Sequence, residues 1–428
     1  MFKARLESRF LIAYIYLLLF GGWILKIGGV PVNIGLTVLS LIDILPLGVW
    51  IFSNPSFRLG SKNFFVDTLS FWLLWILVLI LLLFSGYRHG GALIPSLIHW
   101  GALIRYIPLA YIVLSVNKYI DIGDKIIRQF KIVAIILIVI GYLCIILGDK
   151  ATFFLPLLPE NATGERETLV GNYSAVFANT IDYSFILIIF YIIFAYRANL
   201  SSMTLLGISL FFFTPIFKTG SAASVVVFII IFLYRITNKH RKVRYSIVVI
   251  FLLLFIILGY KYWDLVMLVI ENARLSRLGM LTLTLPDFLS EMSFDTLFGV
   301  GNDGYVVLDK VNGYKSQVTM LAYLTDGNIS AFGDVFWVAL LVFHGLLGLS
   351  IIVFLYYMTF RSVTNKQYVD EKYDYNQIVK CVYFSIVMLS FLNQIIVVRS
   401  FALVFWIFIA ITFNKVVYNN RSNENTTN

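Results

Sequence analysis

The sequence predicts an all-α integral membrane protein with about twelve transmembrane helices, and three observations lead to this prediction. Hydrophobic residues make up 60% of the chain and charged residues 13%, whereas about a quarter of a typical soluble chain is charged. Many apolar runs reach the ~20 residues that a helix needs to cross the hydrocarbon core. The alternating pattern of a membrane barrel is absent from the sequence, and only helices and closed barrels satisfy their backbone groups in lipid.

The predicted helices follow the apolar runs in chain order. We expect membrane spans at residues 10–25, 32–52, 64–86, 92–116, 132–148, 174–196, 203–217, 222–235, 245–260, 334–359, 378–398 and 400–414. The two runs within 203–235 are short enough to be half-helices. The first span lacks an A-x-A-like cleavage site, so we expect it to remain as a helix. Residues 1–428 are therefore expected to form a single polytopic membrane domain.

The basic residues predict how the helices are oriented. The net charge is +10, and the lysines and arginines concentrate in alternate loops, most densely at 235–244. Since such loops stay on the cytoplasmic side, we expect both termini in the cytoplasm and two outer loops, at 149–173 and 261–333. The positive charge then follows from membrane topology and gives no reason to expect a nucleic-acid partner.

The large outer loop at 261–333 interrupts an otherwise apolar chain and is the first place to look for chemistry. Arg274 and Arg277 are three residues apart, so on a helix they share one face and are spaced to clamp a pyrophosphate. The alternative is a solvated face that contacts lipid headgroups. Gly299 and Gly301 permit a tight turn and a close approach of the backbone to another group.

Acidic residues of the same loop are candidates for a general base, which must reach the proton that it removes. They are Asp303, Asp309, Asp326 and Asp334. Asp334 ranks first because it opens the next span, where the loop meets the membrane. The alternative for each acid is simple solvation. The four histidines are scattered; His89 lies in a short outer loop, and His344 lies in a span where a packing role is expected.

Polar residues inside the predicted spans have two interpretations. Arg105, like Asp43 and Asp182, lies within a span. Placing a charged side chain there costs free energy, and such residues usually have a structural or functional role. Arg105 forms either a structural ion pair between helices or a cation that holds an anionic headgroup. The Lys-Thr-Gly-Ser run that begins at Lys218 is either an anion site at a helix start or an interfacial turn. The two cysteines lie in apolar runs and are expected to be core residues.

Several short motifs resemble those of the O-antigen polymerase and ligase superfamily. Arg277 is followed by Leu-Phe-Gly-Val-Gly at 297–301, and Asp334 opens a span that contains Gly-Leu-Leu-Gly at 345–348. The large outer loop before the last three predicted spans is similar too. The resemblance covers roughly residues 160–360 by motif and the rest of the chain by the layout of its spans.

A second group of matches lies upstream. Arg166 precedes a Gly-Asn pair at 171–172, as in the family. The Lys-Thr-Gly-Ser run matches another element, but Ala222 stands where the family usually has an arginine. The chain therefore lacks the arginine to which the resemblance would assign one phosphate contact, and Lys218 is the candidate substitute.

The resemblance implies a GT-C-like, metal-independent glycosyltransferase without a cofactor, in the bacterial inner membrane and active on its periplasmic side. Such an enzyme transfers a growing O-antigen or capsule glycan from undecaprenyl pyrophosphate to a new lipid-linked repeat unit. Ligases of the same superfamily rely on a histidine in the large outer loop. No histidine occurs between His240 and His344, which favours a polymerase over a ligase.

The resemblance also implies roles and partners. Stabilisation of the leaving pyrophosphate is expected from cationic residues, namely Arg277, Arg274, Arg166, Lys218 and Arg105. Asp334 or Asp303 is expected to accept the hydroxyl proton. The expected partners are lipid-linked donor and acceptor glycans, membrane lipids and a candidate chain-length regulator protein. The rival hypothesis is a flippase of the same lipid-linked glycan, but flippases usually show two similar halves and short outer loops, and this chain shows neither.

Overall fold

The computed structural model describes residues 2–53, 68–117, 122–156, 175–177, 180–198, 200–239, 285–290, 293–303, 306–307, 336–364, 372–390 and 399–426. The α-helices are α1 Phe2–Ile27, α2 Val32–Ser53, α3 Thr68–Arg88, α4 Leu93–Ile104, α5 Ile107–Asn117, α6 Gly123–Leu147, α7 Thr180–Ala195, α8 Ser202–Lys218, α9 Ala222–Lys239, α10 Leu285–Ser290, α11 Phe294–Phe298, α12 Phe336–Thr364, α13 Tyr375–Ser390 and α14 Arg399–Thr426. A 3-10 helix covers Gly148–Phe154. Within these ranges the chain contains no strand, only an isolated bridge between Arg197 and Tyr373.

The prediction of an all-α membrane protein is confirmed. Six segments are long and apolar enough to cross a membrane, namely Arg5–Ile27, Val32–Ile51, Ser70–Arg88, Leu93–Val116, Gly123–Leu147 and Trp337–Thr364. Shorter apolar helices occur at Asp182–Ala195, Ser202–Lys218, Ala223–Thr237 and Arg399–Phe413. The count of about twelve spans stays a prediction, because the expected span at 245–260 and most of both outer loops lie outside the described residues.

The peripheral helices expose apolar faces. On α2 and α3 the side chains of Leu41, Ile44, Ile51, Leu73 and Ile80 are all more than half exposed. A contiguous uncharged face of this kind is unfavourable in water and suits contact with lipid. The outward faces of α2 and α3 therefore agree with their assignment as membrane spans.

The interior is organised around α7, which is buried on all sides. Its neighbours are α6, α8, α9, α13 and α14, and its residues from Tyr183 to Ile193 have almost no exposed surface. A helix that is apolar all round belongs in a core. Its hydroxyls have partners, because Tyr183 donates to the Leu137 carbonyl at 2.9 Å and Tyr191 pairs with Ser209 at 3.0 Å. Both cysteines are buried and free, as predicted.

Two interruptions of helices position the polar groups. The predicted span at 92–116 is present, but Arg105 and Tyr106 break it into α4 and α5. Pro108 has no N–H, so it cannot donate to the carbonyl of Ile104, which favours a break at this point. The second interruption lies inside α12, where Gly345 has the non-helical angles φ 66° and ψ −178°.

Candidate functional site

The turn at 297–301 docks onto the interruption of α12 through backbone hydrogen bonds. The Val300 N–H donates to the Val342 carbonyl at 2.9 Å, and the Gly301 N–H donates to the Phe343 carbonyl at 3.1 Å. These carbonyls lie at the end of the first half of α12, where helical partners are lacking. A polar backbone inside a membrane protein needs such internal partners. We call the contact between this turn, α12 and the end of α3 the glycine joint.

Glycines make the joint possible. Gly299 and Gly345 have φ of 81° and 66°, and a Cβ on Gly299 would lie 2.6 Å from the Gly345 nitrogen. A Cβ on Gly301 would lie 2.6 Å from Cα of Gly86 in α3. The predicted close backbone approach is confirmed, and the group that is approached is the protein's own backbone. Ser85 fastens the same turn by donating to the Phe298 carbonyl at 2.5 Å.

A cluster of charged and aromatic side chains lies at the end of α3, beside the joint. Its members are Arg88, His89, Phe294 and Asp295, and we call it the histidine cluster. The Arg88 guanidinium contacts the Asp295 carboxylate and lies 4.4 Å from the centroid of the Phe294 ring. Nε2 of His89 lies 3.1 Å from Oδ1 of the same carboxylate. The cluster joins the end of α3 to α11, so a short outer loop and the large outer loop of the sequence prediction meet here.

The predicted base Asp303 holds the start of α4. Its Oδ2 accepts from the Ala92 N–H at 2.8 Å, and its Oδ1 accepts from the Val306 N–H at 3.4 Å. The preceding residue, Asn302, donates a hydrogen bond from its side-chain Nδ2 to the Pro95 carbonyl at 3.3 Å. Asp303 is only 8% exposed. The geometry therefore gives Asp303 a structural role at the connection between α3 and α4, and its role as a base stays a prediction.

A second charged group lies within the spans and contains Arg105. Asp43 of α2 accepts from Arg105 Nη1 at 3.3 Å and from the Tyr106 hydroxyl at 2.9 Å, and it lies 3.0 Å from Nε of Arg399. Side-chain exposure is 12% for Asp43, 17% for Arg105 and 45% for Arg399. We call these four residues the arginine cluster. It confirms that Arg105 forms an ion pair between helices, and it adds Arg399, the first residue of α14, which the sequence did not single out.

The predicted site residue Lys218 lies elsewhere, at the exposed end of α8. In the turn that follows, Ser221 caps α9, because its hydroxyl accepts from the Ser224 N–H at 3.4 Å. The hydroxyl of Ser224 lies 2.7 Å from that of Ser184 in α7. These polar groups thus bind one another. In the part of the chain that the structure describes, no hydrogen bond or ion pair joins Lys218 to either charged cluster.

The remaining predicted site residues, namely Arg166, Arg274, Arg277 and Asp334, lie outside the described residues, as do Asp309 and Asp326. The structure therefore places Asp303, Lys218 and Arg105 at three different positions. His344 is fully buried, with its ring centroid 5.3 Å from that of His99, which fits its expected packing role.

The apolar spans and the interrupted helices define a multi-pass helical membrane protein with polar groups inside the bundle and at one of its ends. Comparison with known proteins does not narrow this class. No protein-family model matches the chain, and no curated protein matches it at a significant level.

Proposed function

We propose that the protein polymerises lipid-linked polysaccharide repeat units of the O-antigen or capsule type. In this reaction an acceptor hydroxyl forms a bond with the anomeric carbon of the growing glycan. The bond between that carbon and the pyrophosphate oxygen breaks, and undecaprenyl pyrophosphate leaves with the electron pair. The proposal places the enzyme in the bacterial inner membrane, with both termini in the cytoplasm and the reaction on the periplasmic side.

The arginine cluster is the observation that carries this proposal. Two guanidinium groups, those of Arg105 and Arg399, converge on the carboxylate of Asp43. Charge within membrane spans is expensive and is generally retained for function. The fork of an arginine matches two oxygens of a phosphate. A substrate that carries its anionic pyrophosphate at the end of a lipid is a chemically suitable ligand for cations in such a place.

The glycine joint gives separate support. The two glycine motifs of the family resemblance, at 297–301 and 345–348, are distant in sequence but form one contact in the fold. A single structural requirement, close packing of two backbones, accounts for the small residues in both motifs. The joint also holds a segment of the large loop against the end of α3 and the interruption of α12.

The proposal assigns roles to the predicted residues. Arg105, together with Arg166, Arg274 and Arg277, would stabilise the negative charge that develops on the pyrophosphate, as preorganised electrostatic groups do. Lys218 lies apart from the arginine cluster, so its phosphate contact stays a prediction. A base must take the acceptor proton, and the carboxylate candidates are Asp334 and Asp303. Both carboxylate oxygens of Asp303 accept hydrogen bonds from backbone N–H groups, so Asp334 is the stronger candidate for the base.

The test uses purified protein in vesicles with lipid-linked repeat units, and it measures the ladder of glycan lengths. Arg105→Gln and Arg399→Gln should each slow elongation on the order of a hundredfold, because each removes a cation from the developing anion. The matched control is Lys372→Gln, which breaks an exposed pair with Asp124 at 3.2 Å and should leave the ladder unchanged. If the wild-type protein never lengthens the repeats, the polymerase proposal is wrong.

A flippase is the second candidate, and one observation favours it. Many transporters bind their substrate where helices are discontinuous, and α12 is interrupted at Gly345. The same vesicles separate the two functions, because a flippase moves single repeat units across the bilayer without lengthening them. A deletion within 308–325, which leaves the glycine joint in place, should abolish elongation if the protein is a polymerase, yet it should leave translocation intact if the protein is a flippase.

A further inference from the structure

A pair of imidazoles lies inside the bundle, beside the glycine joint. His344 directly precedes the interruption of α12 and has no exposed surface, and its ring centroid lies 5.3 Å from that of His99 in α4. The His99 ring also meets the Phe343 ring edge-on, with centroids 5.3 Å apart. The Phe343 carbonyl accepts from the Gly301 N–H of the joint, so the imidazoles touch a residue that forms the joint. We call His99 and His344 the imidazole pair.

Packing alone does not account for the polar atoms of this pair. Both ring nitrogens of His344 and Nε2 of His99 are buried, and no hydrogen bond reaches these three atoms from the residues that the structure describes. A neutral imidazole carries one donor and one acceptor, and burying them without partners costs free energy that an apolar ring of similar size would avoid. Two adjacent rings with such nitrogens point to a ligand that the nitrogens bind.

The surroundings make room for the pair. A Cβ on Gly348, one turn further along α12, would lie 2.5 Å from Cβ of His344 and 3.6 Å from its Nδ1. The second glycine of the Gly-Leu-Leu-Gly run at 345–348 therefore leaves the space that the imidazole fills, while the first forms the joint. The pair and the joint thus depend on the same short segment of α12.

The surroundings supply no countercharge to the pair. Neither α4 nor the part of α12 before Gly345 carries a charged side chain besides the two histidines. On the neighbouring elements, the side chains that are charged or titrate near neutral pH are Arg88, His89, Asp295, Asp303, Lys380 and Arg399. Among the described residues, no ion pair or hydrogen bond joins any of them to the imidazole pair. Burial without a countercharge opposes the charged form of an imidazole.

We propose that the imidazole pair is a proton-binding site that releases the glycine joint when it is occupied. In the closed joint the pair is neutral. When the segment around Gly345 opens, water reaches the imidazoles, and below about pH 6.5 they take up a proton that the adjacent rings can share. Because the open state binds this proton and the closed state does not, acid favours opening and neutral pH favours closure. The joint holds part of the large loop, so the loop acquires a response to pH that is independent of the reaction catalysed.

Hydrogen exchange of a peptide that contains Val300 and Gly301 measures the opening, because both N–H groups are donors in the joint. An imidazole that titrates only in the open state shifts the opening equilibrium about tenfold between about pH 7.5 and 5.5. After correction for intrinsic exchange rates, the protection of these amides in the wild type should fall at least about tenfold over this range.

The variants remove the titrating groups in two ways. His99→Phe/His344→Phe keeps the rings, and His99→Gln/His344→Gln keeps polar side chains, so one of the two double variants suffices if the other does not fold. In each, the protection of the joint should be the same at both pH values. The matched control is His89→Gln, which removes a solvent-exposed histidine near the joint and should keep the tenfold fall.

Three results would contradict the proposal. Equal protection of the wild type at both pH values would show that the pair only packs or holds a water molecule. A fall that persists in the double variants would place the titrating group elsewhere. A fall that disappears in His89→Gln would assign the response to the histidine cluster. None of these measurements uses a glycan, so they stand or fall separately from the polymerase proposal.

Discussion

The glycine joint and the arginine cluster each bring together segments that are distant in sequence, but they do so through different kinds of contact. In the joint, backbone meets backbone, and the contact exists because Gly299, Gly301 and Gly345 lack side chains. In the arginine cluster, long side chains from α14 and the α4–α5 break converge on the carboxylate of Asp43 in α2. The joint therefore depends on shape and the cluster on charge.

This difference determines how each region should respond to substitution. Backbone atoms that are already in contact cannot move aside without moving whole helices, so an added methyl group in the joint should disturb the fold. Side chains of the cluster can change rotamer, and α14 keeps its burial from Phe401 to Ile411 whatever Arg399 does. Substitutions of the arginines should therefore affect activity more than folding.

The largest expected effect is that of Gly345→Ala. The new Cβ would overlap the Leu297 carbonyl, and φ of 66° is unfavourable for alanine, so we expect a loss of about 4 kcal/mol or more in unfolding free energy. Thermal melting in detergent measures it. Gly29→Ala, with φ of 67° and open space, isolates the backbone strain and should cost about 1–2 kcal/mol. If Gly345→Ala and Gly29→Ala melt alike, the joint does not limit stability.

Asp43→Ala should have the next largest effect on stability. It removes the carboxylate that Arg105 and Arg399 share, and loss of one partner from a largely buried pair costs about 3 kcal/mol. The comparison is Asp124→Ala at an exposed pair, for which less than about 1 kcal/mol is expected. Equal melting temperatures for the two variants would show that the cluster does not stabilise the spans.

The sequence predicted the class of fold because composition and the length of apolar runs act locally. A helix of about 20 apolar residues must lie in lipid wherever its neighbours are, and the burial of both cysteines follows from their apolar runs. The close backbone approach at Gly299 and Gly301 was also predictable, because glycine permits it, but its partner was not. The partner depends on how α3 and α12 pack, which no local pattern contains.

The histidine cluster is a second contact that no local sequence pattern predicts. His89 and Asp295 are 206 positions apart, and neither residue lies in a motif. The absence of a histidine from the large outer loop favoured a polymerase over a ligase, yet a histidine from another loop contacts a segment of that loop. A histidine can therefore reach the large outer loop from another part of the chain, so the product of the reaction is what distinguishes a polymerase from a ligase. A ligase would leave repeat units at their original length and transfer finished glycan to lipid A–core.

The smallest effect on stability is expected at Asp303. Its contacts combine charge with backbone, because a charged carboxylate accepts hydrogen bonds from backbone N–H groups. Asp303→Ala should cost about 1–2 kcal/mol, the loss of a cap. Asp303→Asn keeps an acceptor oxygen towards the Ala92 N–H, so it should cost less than about 1 kcal/mol. If Asp303 only holds the start of α4, Asp303→Asn should elongate repeats at the wild-type rate. A loss of about a hundredfold with unchanged melting would instead identify Asp303 as a proton acceptor, at the connection between α3 and α4.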